Sequence, residues 1–537
     1  MTVRRVMGTE TEYGVSVRGG RGYDPVRLSF AVVAAAADSA TSRIRWDYRQ
    51  EDPVHDARGG RLDRSRARAD MLTDAPQLRI VNVIAANGGR IYVDHAHPEY
   101  SAPETTDPFQ AVRYDQAGDV LMAAACGRAA RGAGEPIELH RANVDGKGAT
   151  WGTHESYLML RRVPFEQVTD LLLAHLTTRQ VYAGSGRVGI GETGEREGFQ
   201  LSQRADYIHA DVGLQTTFDR PVVNTRDESH APDDRRRLHV IVGDANRMQV
   251  PQALKLGVTS LLLWALENGR DAGVDIGAAV SALAPADPVD AMHRVSHDLS
   301  LSCTLPTRGG EELTAWQIQT RLLGLVYEVA ARIHGVDSTG EPLWPDAETI
   351  RLVGLWRRVL TDVAEVRHAD DAARMDMTEQ ASRLEWLLKW QLLERLRRRH
   401  GCGWSDARVH AVDLAWGELG VGSIVVRLGR RMARVADDEG IGTAAVEPPE
   451  TTRAWARSRI LALMPERVVA VSWSRLTVRD DDGSLIGLDM SDPLAWSRAA
   501  VGSLLAEGMR PDSRSLHELF EALGRAARAD GARGGAG

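Results

Sequence analysis

The alternation of polar and apolar positions is clearest in residues 89–104, which read GRIYVDHAHPEYSAPE. Five β-forming and alternating residues, RIYVD at 90–94, predict a strand. Because side chains alternate between the two faces of a strand, Arg90, Tyr92 and Asp94 share one face. A solvated surface strand could also carry a cation, a phenol and a carboxylate in a row.

Several further polar residues follow this strand and favour a functional interpretation. Pro98 is predicted to end the strand, which would leave His95, His97 and Glu99 in a loop directly after Asp94. Loops at the ends of rigid strands are where proteins often place catalytic groups. The segment is therefore predicted to form a catalytic or binding site.

A first strand is predicted over residues 6–17, VMGTETEYGVSV, with Glu10 and Glu12 on the same face. Two carboxylates so placed repel each other unless a cation lies between them. One interpretation is an exposed edge strand, and the other is a metal-binding face of oxygen ligands, which suits magnesium. Because magnesium sites often combine few protein ligands with substrate phosphates, the second interpretation implies a nucleotide.

Two later segments with strand patterns place more candidate ligands on polar faces. Residues 149–161 carry His154 near their centre, and residues 237–244 place Arg237 and His239 on one face. A lone histidine is more often structural than a ligand, but these residues support the metal interpretation. A further short strand is predicted over residues 413–416, which end at Trp416.

Helical periodicity and end signals predict the rest of the framework. Helices are expected over residues 27–37, 108–130, 165–176, 251–268, 314–334, 376–400, 451–463 and 493–505. Strands are expected over residues 468–478 and 485–489, joined by a turn at Asp481-Asp482-Gly483. The Gly-rich residues 184–198 are predicted to form a hinge and do not match a phosphate-binding loop.

Composition changes along the chain indicate the domain organisation. A catalytic domain is predicted over residues 1–433, a small C-terminal α+β domain over 434–526, and a flexible Gly-rich tail over 527–537. Within the first domain, residues 39–77 are charged and poor in large aliphatic side chains, so a long mobile loop is predicted there. Its position just before the Asp94 strand suggests that it gates the site.

The bulk composition excludes several classes of protein. A chain of 537 residues with 43% hydrophobic and 26% charged residues is typical of a multidomain globular protein. The net charge of −8 argues against a nucleic-acid-binding protein. Three widely spaced cysteines argue against a disulfide framework, and no apolar run is long enough for a signal peptide or a membrane span. We therefore expect a cytoplasmic protein with no membrane partner.

Six segments occur in an order that identifies a family resemblance: MGTETEYG, GGRIYVDHAHPEYSAPE, GTHESYLM, RRRLHVIVGDAN, HAVDLAW and EPPETTRAWAR. Over nearly its whole length the chain resembles the family of Pup ligases and Pup deamidase/depupylases, relatives of glutamine synthetase and the γ-glutamylcysteine ligases. The MGTETEYG start and the long segment before the Asp94 strand resemble the deamidase/depupylase branch of this family.

The resemblance implies an α+β fold, with a glutamine-synthetase-like curved antiparallel sheet that cradles the site, packed helices and a small C-terminal α+β domain. It implies ATP and Mg²⁺ as bound cofactors. The residues that match the family pattern are Asp94 as the catalytic residue, Arg90, Trp416, Arg226 and Arg237 as nucleotide contacts, and Glu10, Glu12, Tyr92, Glu99, His154 and His239 as metal ligands.

The chemistry implied is hydrolysis of an amide. The Asp94 carboxylate would attack the amide carbon of the C-terminal glutamine of Pup, or of a Pup–lysine isopeptide bond, or would activate a water to do so. The alternatives are a Pup ligase that consumes ATP and a non-catalytic Pup-binding adaptor. A histidine-based metallohydrolase is disfavoured because DHAHPE lacks an HxHxDH order.

The partners implied are Pup, pupylated proteins and, as a further expectation, the proteasomal ATPase. Pup-like modifiers are acidic, so their docking groove is expected to be basic. Local arginine clusters fit this expectation in an otherwise acidic chain: Arg204, Arg226 and Arg235 to Arg237, then Arg427, Arg430, Arg431 and Arg434.

Overall fold

The computed structural model describes residues 2–20, 22–38, 40–63, 81–145, 148–189, 197–508 and 515–534. Its strands are β1 Met7–Glu12, β2 Gly14–Val17, β3 Arg45–Trp46, β4 His55–Asp56, β5 Gly60–Arg61, β6 Asn82–Ile84, β7 Arg90–Asp94, β8 His97–Ser101, β9 Ile137–His140, β10 Thr153–Leu160, β11 Arg187–Gly189, β12 Gly198–Gln200, β13 Ala210–Gly213, β14 Pro221–Asn224, β15 Arg235–Val240, β16 Thr304–Pro306, β17 Glu312–Thr314, β18 Val468–Val471, β19 Arg475–Arg479 and β20 Leu485–Asp489.

The helices are α1 Pro25–Ala36, α2 Pro108–Ala133, α3 Phe165–Thr178, α4 Gln180–Ala183, α5 Gln249–Ala272, α6 Ile276–Leu283, α7 Pro288–His297, α8 Ala315–His334, α9 Ala347–His368, α10 Asp371–Arg374, α11 Thr378–Ala381, α12 Glu385–His400, α13 Ala407–Trp416, α14 Ile424–Leu428, α15 Asp438–Val446, α16 Arg453–Leu463, α17 Arg498–Gly508 and α18 Leu516–Gly534. Seven of the eight predicted helices are confirmed, with ends that differ by up to five residues.

The central sheet has six antiparallel strands in the order β15-β10-β1-β8-β7-β6. In β1 the residues Met7, Thr9 and Thr11 are buried, and the residues between them are half-buried, as the predicted alternation requires. The buried side packs against helices that include α2 and α5. The sheet therefore presents a polar face whose side chains come from alternate positions of each strand.

The small C-terminal unit has its own core and a sheet in the order β20-β19-β18-β3. Strand β3 lies far upstream in the chain and pairs in parallel with β18, with Arg45 opposite Ala470. Ile44 and Trp46 are buried in this core. The prediction of a mobile loop over 39–77 is therefore wrong for residues 40–63; residues 64–80 lie outside the described residues.

The prediction was based on the average composition of the segment, whereas only a few apolar residues make its packing contacts. Ile44 and Trp46 are 8% and 7% exposed although the residues around them are mostly charged. An average over the segment hides two well-placed anchors that bury their surface against another part of the chain.

A carboxylate–arginine clamp joins the C-terminal unit to the central sheet. Glu104, which follows β8, accepts hydrogen bonds from Arg453 at 2.7 Å and from Arg457 at 2.7 Å, both on α16. Arg457 also donates to the Gly88 carbonyl. The predicted boundary at 434 is not where the second core begins: α15 packs on α2, and the first C-terminal-core residue after it is Trp455.

Five further element predictions differ from the structure. Residues 413–416 belong to helix α13 and not to a strand, and residues 376–400 form α11 and α12 with a break between them. Residues 6–17 and 468–478 each form two strands. The predicted hinge at 184–198 contains the β11–β12 hairpin, with residues 190–196 outside the described residues.

The predicted flexible tail is helical in its first part. Helix α18 continues to Gly534, and residues 535–537 lie outside the described residues. Leu519, Phe520 and Leu523 are buried in the C-terminal core, and the alanines that follow have high helix propensity. Packing of the first turns therefore carries the helix into a segment whose composition alone indicates disorder.

No helix in the described part of the chain combines the length and the apolar character that crossing a lipid bilayer demands.

Candidate active site

A polar cavity of about 370 Å³ lies over the polar face of the central sheet. Its walls also include residues from the 48–51 and 216–230 segments and from the C-terminal unit. The residues predicted from sequence that line it are Glu10, Arg90, Tyr92, Asp94, Glu99, His154, Arg226, Arg237 and His239. The structure thus brings together nearly the whole predicted site.

The hairpin β7–β8 places the candidate catalytic residue and its neighbours. The chain turns between Asp94 and His97, which are paired residues, and His95 in the turn has a φ of 51°. Such left-handed backbone is uncommon in a residue other than glycine and is often found at functional sites. Pro98 does not end the strand as predicted but lies within β8, so that Glu99 is directly opposite Tyr92.

Asp94 lies at the end of β7 with 40% of its side chain exposed. The Nδ1 atom of His95 is 3.1 Å from its Oδ1 atom. Burial opposes ionisation, but the hydrogen bond from His95 and the charges of His95, His154 and Arg226 lower the pKa of Asp94 below its ordinary value. The group is therefore a carboxylate at neutral pH, as a nucleophile or general base must be.

The carboxylates of Glu12, Asp94 and Glu99 form one cluster, with an oxygen of each within 4.8 Å of the others. Burial and the charge of Asp94 raise the pKa of Glu12, and burial with the charges of Asp94 and Glu12 raises the pKa of Glu99 well above its ordinary value. A cation bound between them would offset this repulsion. An all-oxygen donor set of this kind fits Mg²⁺.

Glu10, His154 and His239 form a second cluster of potential ligands. The Glu10 Oε2 atom is 3.5 Å from Nδ1 of His154 and 3.7 Å from Nε2 of His239. Burial raises the pKa of Glu10, but the hydrogen bond from His154 and the charges of His239 and Arg237 outweigh it and lower the pKa. Both ring nitrogens of His239 are buried without a hydrogen-bond partner among the described residues, as expected of an imidazole that binds a ligand or metal.

Tyr92 is placed between these clusters on the same face. Its hydroxyl is 3.4 Å from the Ser101 hydroxyl. Burial and the charges of Glu99 and Glu10 raise the pKa of Tyr92 well above its ordinary value, so the phenol stays protonated. It can serve as a neutral oxygen donor to a cation held by the carboxylates.

Arg90 is held in a cage of aromatic and polar side chains. Its guanidinium carbon lies 3.9 Å from the ring centroid of Trp46 and 4.0 Å from that of Tyr92. Its Nε donates to Asn82 at 2.8 Å, and Glu51 lies 3.7 Å away. Because Trp46 belongs to the C-terminal sheet, that unit positions a cation at the wall of the cavity.

Two more arginines face the same space. Arg237 lies 3.2 Å from Glu10 and 3.5 Å from Glu228, and Arg226 lies 3.9 Å from Glu228. With Arg90 they provide three guanidinium groups beside two candidate cation sites. Guanidinium groups and divalent cations together are what polyphosphate binding requires.

The structure does not bring Trp416 to this cavity. Its side chain is 1% exposed, and its indole N–H donates to Glu385 at 2.9 Å in the core around α12. The tryptophan that lines the cavity is Trp473, between β18 and β19, which packs edge-on against Trp46. Trp473 was not predicted as a site residue because the sequence pattern placed it inside one continuous strand. Its position between two short apolar runs could have indicated a loop residue.

Two other residues near the carboxylate cluster complete the site. His97 stacks on Trp151 at 4.9 Å, and its Nδ1 is 3.7 Å from Glu12. Burial lowers the pKa of His97 to about 4, so the imidazole is neutral at pH 7. Trp151 was not among the predicted site residues.

Known proteins resemble this chain over most of its length. A family model described as Pup-ligase protein matches residues 5–477. The Pup deamidase/depupylase of Mycobacterium tuberculosis (strain ATCC 25618 / H37Rv) is 41% identical over 513 residues, which cover 94% of this chain and 96% of that protein. The depupylase of Acidothermus cellulolyticus is 41% identical over 535 residues, covering 97% and 99%. The Pup–protein ligase of Actinosynnema mirum is 36% identical over 418 residues, covering 75% and 85%.

Two solved structures share the fold. The crystal structure of the complex between Prokaryotic Ubiquitin-like Protein Pup and its ligase PafA matches with a TM-score of 0.74 and 25% identity, covering 99% of this chain and 93% of that chain. The structure of the Pup ligase PafA in complex with ADP matches with a TM-score of 0.67 and 29% identity, covering 81% and 90%. The glutamine-synthetase-like fold implied by the sequence resemblance is confirmed by these matches.

Proposed function

This chain belongs to the Pup-ligase protein family, and we propose that it is an amidohydrolase of the Pup deamidase/depupylase type. Its substrates are the side-chain amide of a C-terminal glutamine of Pup and the isopeptide bond between Pup and a substrate lysine. The single observation that supports this most directly is the accessible Asp94 carboxylate in the polar cavity, beside a cluster of carboxylates that suits a cation.

The reaction adds one water across a carbon–nitrogen bond. In one route the Asp94 carboxylate attacks the carbonyl carbon, the amine leaves with a proton, and water then hydrolyses the anhydride that Asp94 has formed. In the other route Asp94 takes a proton from a water that attacks the same carbon. Both routes release the Pup carboxylate and an amine or ammonia, and both need an ionised Asp94 within reach of the carbonyl.

A nucleotide and Mg²⁺ are the cofactors of this proposal. A relative in the family, the ligase PafA, is known in complex with ADP. In this chain Arg90, Arg226 and Arg237 would hold the phosphates, and the clusters around Glu10 and Glu99 would hold cations. When bound, the cation supplies positive charge that polarises a carbonyl oxygen; net amide hydrolysis itself requires no ATP energy.

The partner of this proposal is Pup, which is present in the complex with the related ligase. The two arginine clusters expected from the sequence to bind Pup differ in their exposure to solvent. Arg204 is 1% exposed and donates to the Trp151 carbonyl, and Arg226 lines the active-site cavity, so these two arginines of the first cluster do not lie on an outer surface. Arg430 and Arg431 are exposed, and Val426 beside them is 54% exposed.

Exposed cations next to an exposed apolar side chain are complementary to an acidic, amphipathic peptide. The surface around α14, which we call the α14 surface and define as Val421, Val426, Arg427, Arg430 and Arg431, therefore supports Pup docking better than the first cluster.

A Pup ligase is the second candidate function. A ligase would use the same carboxylate to deprotonate a lysine amine and would consume ATP. The relatives named depupylases are more similar over more of the chain, 41% over 97% against 36% over 75%, which favours the hydrolase.

The deciding experiment mixes the protein with a pupylated substrate and either ATP or a non-hydrolysable ATP analogue. The hydrolase proposal predicts release of the free substrate protein with both nucleotides. Conjugation of free Pup to the substrate protein that depends on ATP cleavage would instead establish the ligase.

A further inference from the structure

A second, smaller cavity of about 80 Å³ opens behind Glu10, between the central sheet and the C-terminal unit. Glu10, Ser101, His230, Arg237 and Trp473 line both this cavity and the larger one, so the two are compartments of one site.

The two compartments differ in chemistry. The larger one carries the charged groups described above. Most residues that line the smaller one are uncharged and small or apolar, among them Val6, Ala102 and Pro493, although Glu10, Glu104, Arg237 and Arg453 also line it. A ligand with a highly charged end and an uncharged ring system therefore has one compartment for each end.

His230 lies where the two compartments meet. Its Nδ1 atom is buried without a hydrogen-bond partner among the described residues. Buried polar atoms are almost always hydrogen-bonded in folded proteins, so one left over at the wall of a cavity points to a ligand group that completes it. A half-turn of the imidazole about its Cβ–Cγ bond exchanges the two edges of the ring, so that Nε2 can lie on the side where Nδ1 lies now.

The backbone of His230 is held in an uncommon conformation. Its φ is 46°, in the left-handed region that residues with a Cβ atom rarely adopt. The carbonyl oxygen of His230 accepts a hydrogen bond from Arg453 at 2.6 Å. Arg453 is in turn fixed by Glu104 at 2.7 Å and by the Met490 carbonyl at 2.7 Å. Strain maintained by buried contacts of this kind is characteristic of residues that position a ligand.

We infer that His230 binds one hydroxyl of the nucleotide's ribose and makes the site discriminate against the deoxynucleotide that lacks this hydroxyl. This inference rests on the proposed function, because it takes the nucleotide as the ligand. Arg90 and Arg237 would hold the phosphates in the larger compartment, and the apolar walls of the smaller compartment would hold the base. The sugar, which joins the two, would then lie at the junction of the compartments. The imidazole there offers a hydrogen bond to a ribose hydroxyl, and the deoxy sugar without that hydroxyl cannot form it.

The test is calorimetric binding of ATP, 2′-deoxy-ATP and 3′-deoxy-ATP in the presence of Mg²⁺, with no Pup present. The wild-type protein is expected to bind ATP about tenfold more tightly than the deoxy form that lacks the contacted hydroxyl, as one lost hydrogen bond predicts. His230→Phe is expected to bind ATP about tenfold more weakly and to bind that deoxy form with unchanged affinity. His230→Gln, which keeps a hydrogen-bonding group, is expected to lie between the two.

His297→Phe serves as the matched control, since His297 is 43% exposed and lies outside both compartments. Equal wild-type affinities for all three nucleotides would overturn the inference without any variant. A His230→Phe protein that folds and keeps full discrimination would overturn it as well. If the wild-type protein binds no nucleotide, the nucleotide part of the proposed function fails, which this assay distinguishes from a failure of the His230 inference alone.

Discussion

Glu12 and Glu99 are directly opposite one another in the antiparallel β1–β8 pair, and both are buried or nearly so. Like charges across a strand pair destabilise a sheet. Asp94 adds a third carboxylate within 4.8 Å. The sheet therefore assembles an anionic cluster that a divalent cation would stabilise, on the same face as the groups suited to bind phosphates.

We expect Glu99→Gln to have opposite effects with and without Mg²⁺. Because burial and neighbouring carboxylates raise the pKa of Glu99, the folded site disfavours the charge that this side chain carries in the unfolded chain at neutral pH, and the isosteric amide removes that cost of about 1 kcal/mol. The thermal midpoint in EDTA should rise, while Mg²⁺-dependent ATP affinity should fall. Calorimetry and thermal melts measure both effects, with surface variant Glu311→Gln as the control; unchanged ATP affinity would argue against a cation here.

Asp94→Asn should abolish amide hydrolysis while preserving the fold and ATP binding. The amide keeps the shape of the side chain but removes the ionised oxygen, and losing a catalytic nucleophile or base costs at least ~10²-fold in rate. Release of ammonia from Pup that ends in glutamine, and of free protein from a Pup conjugate, measure the loss. An asparagine variant that still turned over near the wild-type rate would place the chemistry on another residue.

Trp46→Ala should weaken nucleotide binding through Arg90. The indole covers the guanidinium at 3.9 Å, and a partly buried cation–π contact is worth about 1 kcal/mol, or roughly fivefold in affinity. Trp46→Phe retains an aromatic face and should recover most of the affinity. Similar losses in both variants would show instead that Trp46 acts by filling the C-terminal core, where it is also buried.

The clamp at Glu104 should make the protein sensitive to acid. Burial opposes ionisation of Glu104, but Arg457 and Arg453 lower its pKa to about 2 from an ordinary value of 4.5. A carboxyl with a lowered pKa stabilises the fold fully above about pH 4.5 and loses that contribution as the pH falls towards 2. The stability gap between wild type and Glu104→Gln, about 3 kcal/mol at pH 7, should therefore narrow across this window.

Urea unfolding at pH 7, 5 and 3.5 measures this gap, with exposed Glu466→Gln as the matched control. A gap that stayed constant from pH 7 to pH 3.5 would mean that the charge of Glu104 contributes nothing to stability.

Binding of Pup at the α14 surface should depend on salt. Surface charges attract an acidic peptide over about 10 Å at 0.1 M ionic strength and over less at higher salt. Affinity should fall as NaCl increases, and Arg430→Glu combined with Arg431→Glu should weaken binding by at least tenfold without changing the thermal midpoint. Reversal of Arg408, which is paired with Asp406, is the control. Salt-independent binding would place the groove elsewhere.

How much of the site could be predicted depended on the range of the interactions. Alternation within single strands was sufficient to select Glu10, Arg90, Tyr92, Asp94 and His239, because a strand with one buried face sends alternate side chains to the other face. The partners across the sheet were not predictable in this way. The register that places Glu99 opposite Tyr92 depends on a turn at His95 that the pattern did not reveal.

The sequence by itself determined the polar strand faces, the long helices and, through its motifs, the family. Only the tertiary structure decided what closes the cavity. It brings Trp46 and Trp473 together from positions more than 400 residues apart, places His230 at a junction with the C-terminal unit, and leaves Trp416 in the core. Long-range contacts of this kind are selected by complementary packing of distant surfaces, which leaves no periodic signal in the residues nearby.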